Sequence, residues 1–109
     1  VWNTCGEIDL NELKALIANL DCVIAVDTGP IYIAEAFGVA TIDIVGPVDE
    51  NVQPPRGGRH IIVKAQVPGY PFLRIMNARI YDIAGVRKAV EAITPEMVLE
   101  QSRELLKNL

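Results

Sequence analysis

The stretch VIAVDTGPIYIAEAFGV, residues 23–39, constrains the fold most, because it joins two apolar segments through a short polar turn. Its first part, residues 23–26, is apolar without alternation, which is typical of a strand buried on both faces of a parallel sheet. The segment after the turn is rich in alanine and too long for a neighbouring strand, so it predicts a buried helix. The stretch therefore predicts a strand, a tight turn and a helix in direct succession.

The turn itself contains residues that favour the start of a helix. Thr28 is a preferred N-cap, and Pro30 suits the first helical turn because its missing N–H would have no partner there. Such a turn places free backbone N–H groups and the positive end of a helix dipole at the carboxyl end of a strand. In α/β proteins, phosphates and other anions bind at this position.

The rest of the chain continues the alternation of strands and helices. Asp9 and Glu12 have the spacing of a capping box, and apolar residues at helical spacing follow. The further elements predicted are helices at residues 10–20, at 86–93 and from Thr94 onward, and strands at residues 39–45 and 60–64. We therefore predict an α/β fold: a Rossmann-like parallel sheet with helices on both faces, in which residues 23–26 are central and 42–45 lie beside them.

Core positions in the last predicted helix follow from the same spacing. The residues expected to face the core are Val98, Leu99, Leu105 and Leu106.

Composition excludes several classes of protein. The 109 residues suffice for one small domain, so residues 1–109 are predicted to form a single unit. A net charge of −4 argues against a broad nucleic-acid surface, which should be basic. The two cysteines, Cys5 and Cys22, are too few for a disulfide scaffold and form no CxxC pair typical of zinc sites. Because no apolar run is long enough to span a membrane, we expect no transmembrane segment and a cytoplasmic location.

The amino terminus begins abruptly. There is no initiator Met, and residues 1–3 have the character of the end of a strand. We therefore expect the chain to be a carboxyl-terminal piece of a longer two-domain protein.

The turn and its surroundings resemble the ADP-heptose:lipopolysaccharide heptosyltransferases, glycosyltransferase family 9 of the GT-B type. That family has a turn of the form D-[ST]-G-P-x-H-x-A, and residues 27–34 read DTGPIYIA. Its G-P-T-D-P-like loop corresponds to GPVDE at residues 46–50, and the closing segment AITPEMVLEQSRELL is also similar. Tyr32 stands where the family usually has His. The cysteine cluster that the family often carries after the third strand is missing, so we expect no structural metal here.

This resemblance implies the donor-binding half of a metal-independent glycosyltransferase, which is one half of a GT-B fold. Its substrate would be a nucleotide-diphosphate sugar such as ADP-heptose, without a further cofactor. The acceptor domain with its catalytic carboxylate would precede this chain, so the chain alone would be inactive and would hold no catalytic residue. The enzyme would be cytoplasmic or peripheral at the inner membrane. The substrate-binding residues implied are Gly6, Asp27, Thr28, Gly29, Pro30, Ile31, Tyr32 and Gly46.

Within the turn, we expect the N–H groups of Thr28, Gly29 and Ile31 to hold the diphosphate. The Asp27 carboxylate would repel a phosphate, so we expect it to accept backbone N–H bonds instead. A well-capped helix start without any ligand explains the same residues, and Tyr32 is more often a packing aromatic than a ligand.

The other charged residues have structural as well as functional interpretations. Asp49 and Glu50 are interpreted as a solvated loop, because no third carboxylate or His stands at ligand spacing. Arg56 and Arg59 could approach a diphosphate, although exposed arginines beside a loop are common. Two other functions stay open: a non-catalytic Rossmann-like binding or assembly module, favoured by Tyr32, and another nucleotide-sugar enzyme such as an epimerase.

Overall fold

The computed structural model describes residues 1–52, 57–73 and 82–108. In chain order the elements are α1 (Leu10–Ala18), β1 (Cys22–Val26), α2 (Gly29–Ala36), β2 (Ala40–Val45), β3 (His60–Lys64), α3 (Ile83–Glu91) and α4 (Pro95–Lys107). Within the described residues, the three strands form one parallel sheet in the order β1-β2-β3. The predicted α/β, Rossmann-like class is therefore confirmed, and most predicted element boundaries lie within a few residues of those observed.

The predicted position of β1 is wrong in one respect. It pairs in parallel with β2, as expected, but β2 is the central strand and β1 lies at the edge of the described sheet. Ile24 and Val26 are 50% and 56% exposed, whereas Val23 is buried. The apolar run therefore has one covered face, because α2 packs on β1 and β2 while α4 lies over β2 and β3.

Two apolar clusters hold helices on the two faces of the sheet. On the first face, Ile31 and Ala34 of α2 pack with Val23 and with Ile17 of α1, and all four side chains are buried. The second cluster lies under α4 and consists of Ala40, Ile42, Val63 and Leu105. Burial of these side chains is the main favourable contribution to the stability of such a fold.

The predicted core face of α4 is half right. Leu105 is buried and Val98 packs against the same cluster, but Leu99 and Leu106 are half exposed. Helix α4 thus presents a narrow apolar stripe to β2 and β3, and its remaining leucines lie beside that stripe.

The predicted strand character of residues 1–3 is also not observed. Val1 and Trp2 are exposed, and a turn at residues 5–7 follows, with Gly6 at φ 76°. Strand geometry needs a hydrogen-bonded neighbour, and the described sheet offers none to these residues.

Capping explains where α1 begins. The Asp9 carboxylate accepts hydrogen bonds from the N–H groups of Asn11 and Glu12 at 2.8 and 2.9 Å, and Glu12 accepts one from the Asp9 N–H at 2.8 Å. This is the predicted capping box.

Replacing Asp9 with Ala removes the carboxylate oxygen that accepts hydrogen bonds from two otherwise unpaired N–H groups of α1. We expect the free energy of unfolding to fall by about 1 kcal/mol, measured by urea titration. Asp21→Ala is the matched control, because it removes the same charge from an exposed position just before β1. Equal effects of the two substitutions would contradict the capping role.

Candidate functional site

The turn after β1 leaves the start of α2 uncapped by a side chain. Thr28 is the N-cap residue, with extended backbone angles, but its side chain makes no cap hydrogen bond. Its hydroxyl instead donates to the carbonyl of Val26 at 3.0 Å. Pro30 occupies the first turn and has no N–H. The positive end of α2 is therefore available at the carboxyl end of β1.

The three N–H groups expected to bind a diphosphate are not equivalent. The Ile31 N–H already donates to the Thr28 carbonyl at 3.1 Å, and the Ile31 side chain is fully buried. Thr28 and Gly29 are both exposed. A Cβ atom added to Gly29 would meet no heavy atom within 4 Å, so open space lies above this residue. Of the three, Thr28 and Gly29 are the donors that an anion can approach.

Asp27 and Tyr32 interact across the turn in a way that the sequence did not indicate. The Tyr32 hydroxyl donates to Asp27 Oδ1 at 3.4 Å, and Asp27 accepts no backbone N–H bond within the described residues, contrary to expectation. Tyr32 is 41% exposed, so it is not a core aromatic. Partial burial and the Asp27 carboxylate both raise the pKa of Tyr32, which favours the neutral hydroxyl as donor.

A cavity of about 450 Å³ adjoins the turn. It lies between the ends of β1 and β2 and the segment from α3 to α4, with Val26, Ile44, Val90 and Val98 among its apolar lining residues. Asp27 and Gly46 both line it, so the structure brings together two of the predicted site residues. Gly6 does not line this cavity and occupies an exposed turn with positive φ, which glycine adopts without strain.

The structure also reveals a buried acid that the sequence reasoning missed. Asp43 lies in the middle of the central strand β2 and is fully buried, and neither of its carboxylate oxygens has a hydrogen-bond partner within the described residues. The available signal was one acid inside the apolar run ATIDIV, where a buried charge is costly. Burial first, and then the Asp27 carboxylate, raise the pKa of Asp43 to about 6.

His60 lies beside Asp43 at the start of β3. Its Nδ1 is 2.6 Å from the hydroxyl of Thr41, and its Nε2 is 4.0 Å from Asp43 Oδ2. Burial lowers the pKa of His60, and the acids Glu35 and Asp27 oppose that effect only in part. The imidazole is therefore mainly neutral near neutral pH.

Glu50, which was interpreted as solvated, is in fact part of an ion pair. Lys64 donates to its carboxylate, and the Tyr70 hydroxyl lies 2.9 Å from Glu50 Oε2 and 2.7 Å from the Val48 carbonyl. Burial opposes ionisation of Glu50, but the hydrogen bonds from Lys64 and Tyr70 outweigh it and lower its pKa. A carboxylate with a lowered pKa is a poor general base.

Asp49 and Arg59 make local contacts away from the turn at Thr28 and Gly29. The Asp49 carboxylate accepts the Asn51 N–H at 2.9 Å and so stabilises the local turn. Arg59 donates to the Gly38 carbonyl after α2. Arg56 lies outside the described residues. Within residues 1–52, 57–73 and 82–108, no three His, Cys, Asp or Glu side chains are grouped so that they could hold a metal ion.

Comparison with known proteins identifies the family. The model of glycosyltransferase family 9 (heptosyltransferase) matches residues 1–79. This range includes all three strands, the turn after β1 and helix α2. The chain belongs to glycosyltransferase family 9. The matched range holds every site residue that the resemblance implied.

Individual relatives agree with this assignment. The chain is 33% identical over 105 residues to lipooligosaccharide heptosyltransferase 2 of Haemophilus influenzae, covering 95% of this chain and 29% of that protein. It is 27% identical over 104 residues to lipopolysaccharide heptosyltransferase 2 of Escherichia coli, covering 95% and 28%. The chain thus spans less than a third of the length of these family 9 relatives. No solved structure matches it significantly.

Membrane insertion of a helix is not indicated in the part of the chain that the structure describes. None of its helices is both long and apolar enough to cross a bilayer.

The raised pKa of Asp43 leads to a prediction about stability. Because the folded protein holds this proton more tightly than the unfolded chain, ionised Asp43 lowers stability. This destabilisation is absent below pH 3.8, the ordinary pKa of the Asp carboxyl in the unfolded chain. It grows as the pH rises and becomes constant well above about pH 6, the pKa of Asp43 in the folded protein. The shift of about 2 pKa units corresponds to a cost of about 3 kcal/mol at the most.

Asp43→Asn should therefore stabilise the protein more at neutral than at acidic pH. We expect its advantage in free energy of unfolding to be about 1.5 kcal/mol greater at about pH 7.5 than at about pH 5, measured by urea titration at both values. Asp21→Asn serves as the control, since Asp21 is exposed. An advantage that does not change with pH would show that Asp43 titrates normally.

Proposed function

We propose that this chain is the donor-binding half of a heptosyltransferase-like glycosyltransferase, and that the turn at Thr28 and Gly29 holds the diphosphate of a nucleotide-sugar donor. The observation that carries the proposal is the uncapped positive end of α2, which opens beside the cavity at the carboxyl ends of β1 and β2. This is the edge of a parallel sheet where α/β proteins bind their ligands. Membership of family 9 supports a sugar donor of this class.

The chemistry follows from the charge that develops on the donor. When the bond from the sugar to the diphosphate breaks, negative charge grows on the leaving nucleoside diphosphate. The N–H groups of Thr28 and Gly29 and the dipole of α2 would stabilise that charge without a metal ion. The binding groups are part of the backbone, so they need no reorganisation during the reaction.

The sugar and the base would bind on either side of this turn. The cavity lined by Asp27, Gly46 and Pro47 adjoins the diphosphate position and would accommodate the sugar. ADP-heptose is the donor we propose, because the relatives are named as heptosyltransferases. Gly6 would contribute to the pocket for the base.

The acceptor would bind to another part of the protein. The chain covers 28% to 29% of its relatives, and we propose that an amino-terminal domain supplies the acceptor site and the catalytic base. The enzyme would work in the cytoplasm, free or attached peripherally to the inner membrane. Nucleic acid is not an expected partner, given the net charge of −4.

One observation favours a second function. Tyr32 replaces the His that the family usually has in this motif, and its hydroxyl is engaged by Asp27. A non-catalytic module that retains the fold for binding or assembly would tolerate this change. Calorimetry distinguishes the two functions, because such a module would give no heat with ADP or UDP.

Gly29→Val tests the proposed diphosphate site directly. The added Cβ would lie in open space above the turn, with no heavy atom within 4 Å, and the Val side chain would exclude the ligand. We expect ADP binding to weaken at least tenfold, or by about 1.4 kcal/mol, as measured by titration calorimetry. Gly58→Val is the matched control, because a Cβ there also meets no atom within 4 Å and Gly58 lies outside the proposed site. Unchanged ADP affinity in Gly29→Val would refute the assignment.

The 109-residue chain alone should release no nucleoside diphosphate from ADP-heptose in the presence of a lipopolysaccharide-core acceptor. A missing general base typically costs about 10²–10⁴-fold in rate, and the loss of a paired acceptor site removes a further large advantage of proximity. Product release is followed by chromatography. Turnover that Glu50→Gln or Asp49→Asn abolishes would show that the catalytic base lies in this chain.

A further inference from the structure

A row of buried polar groups runs beneath α2, from the start of β3 to the end of β1. The strand register pairs His60 with Thr41 and Asp43 with Ala25, so these side chains share one face of the sheet. Asp27 follows β1 on the next position of that face, directly before the proposed donor turn. Helix α2 covers β1 and β2 on this face through Ile31 and Ala34, so the row lies behind the helix that would bind the diphosphate.

Four polar atoms of this row are buried without partners within the described residues. They are Asp27 Oδ2, both carboxylate oxygens of Asp43, and His60 Nε2. The 4.0 Å between His60 Nε2 and Asp43 Oδ2 is too long for a hydrogen bond. Buried polar groups in folded proteins normally have partners, so these unsatisfied atoms carry an energetic cost.

Several titratable groups bear on the charge of this row. The groups whose charges bear on it are Asp27 after β1, His60 on β3, and Tyr32 and Glu35 on α2. Within the described ranges, neither a lysine nor an arginine forms an ion pair with Asp43. The charge of Asp43 is thus set by whether it holds a proton.

We propose that Asp43 is a positioning residue for the donor turn: its charge beneath α2 controls how tightly the turn holds a diphosphate, and acidification therefore strengthens binding. This inference rests on the proposed function. Asp43 touches no ligand; it acts through the electrostatic potential at the start of α2 and through Asp27.

The direction follows from charge. Ionised Asp43 adds a negative charge behind the turn, which opposes a diphosphate in front of it across a medium of low dielectric constant. Protonated Asp43 removes this repulsion. Because the pKa of Asp43 is about 6, this change falls between mildly acidic and neutral pH.

The experiment measures the affinity of the protein for ADP-ribose by calorimetry at about pH 5 and about pH 8, where the diphosphate diester keeps a constant charge, unlike the terminal phosphate of ADP. We expect the wild type to bind about three- to tenfold more tightly at the lower pH, as the removal of one charge near the site implies. Asp43→Asn should bind equally at both values, with the affinity of the acidic wild type. Asp43→Ala provides a second neutral variant if the amide disturbs folding.

Two controls separate Asp43 from other titrating groups. Asp21→Asn removes an exposed charge and should keep the wild-type pH dependence of ADP-ribose affinity. His60→Gln should also keep it if Asp43 is the group that titrates. A pH dependence that persists in both Asp43 variants, or one that only His60→Gln abolishes, would overturn the inference and leave the proposed function standing. Absence of ADP-ribose binding at both pH values would overturn the inference and the proposed function together.

Discussion

The packing of α2 across β1 and β2 is the constraint on which the candidate site depends. Ile31 and Ala34 are completely buried against the sheet, and this contact fixes the direction of the helix axis. The start of α2 consequently points to the carboxyl end of β1, and Thr28 and Gly29 become exposed donors. Loss of this packing would remove the site, because the donors belong to the backbone and have no other means of orientation.

The same packing places opposite charges on the two sides of the turn. The dipole of α2 favours an anion in front of the turn, whereas Asp27 and Asp43 behind it disfavour one. A fully buried acid without an ion pair lowers stability. Since burial and Asp27 together raise the pKa of Asp43, protonation relieves both effects near pH 6. Stability and anion affinity are therefore expected to change in the same direction with pH.

The sequence predicted where the helices and strands begin better than it predicted which of their faces are buried. Capping residues and the turn chemistry located the start of α1, α2 and α4, because these signals are local. The edge position of β1 and the exposure of Leu99 depend on which helix covers which strand, and periodicity alone does not specify that. Asp43 was missed because a single acid in a strand acquires its meaning only from the neighbours that register brings to it.

The change from the usual family His to Tyr32 makes the charge behind the turn more important. An imidazole near the start of α2 can carry a positive charge and attract a phosphate. The Tyr32 hydroxyl donates to Asp27, and burial with the nearby acid raises its pKa, so it stays neutral near pH 7. Under the proposed function, the attraction of the turn for a diphosphate would then come from backbone N–H groups and the dipole of α2. A modest, fixed attraction of this kind is sensitive to one opposing charge, and Asp43 is a fully buried acid whose charge changes in the relevant pH range.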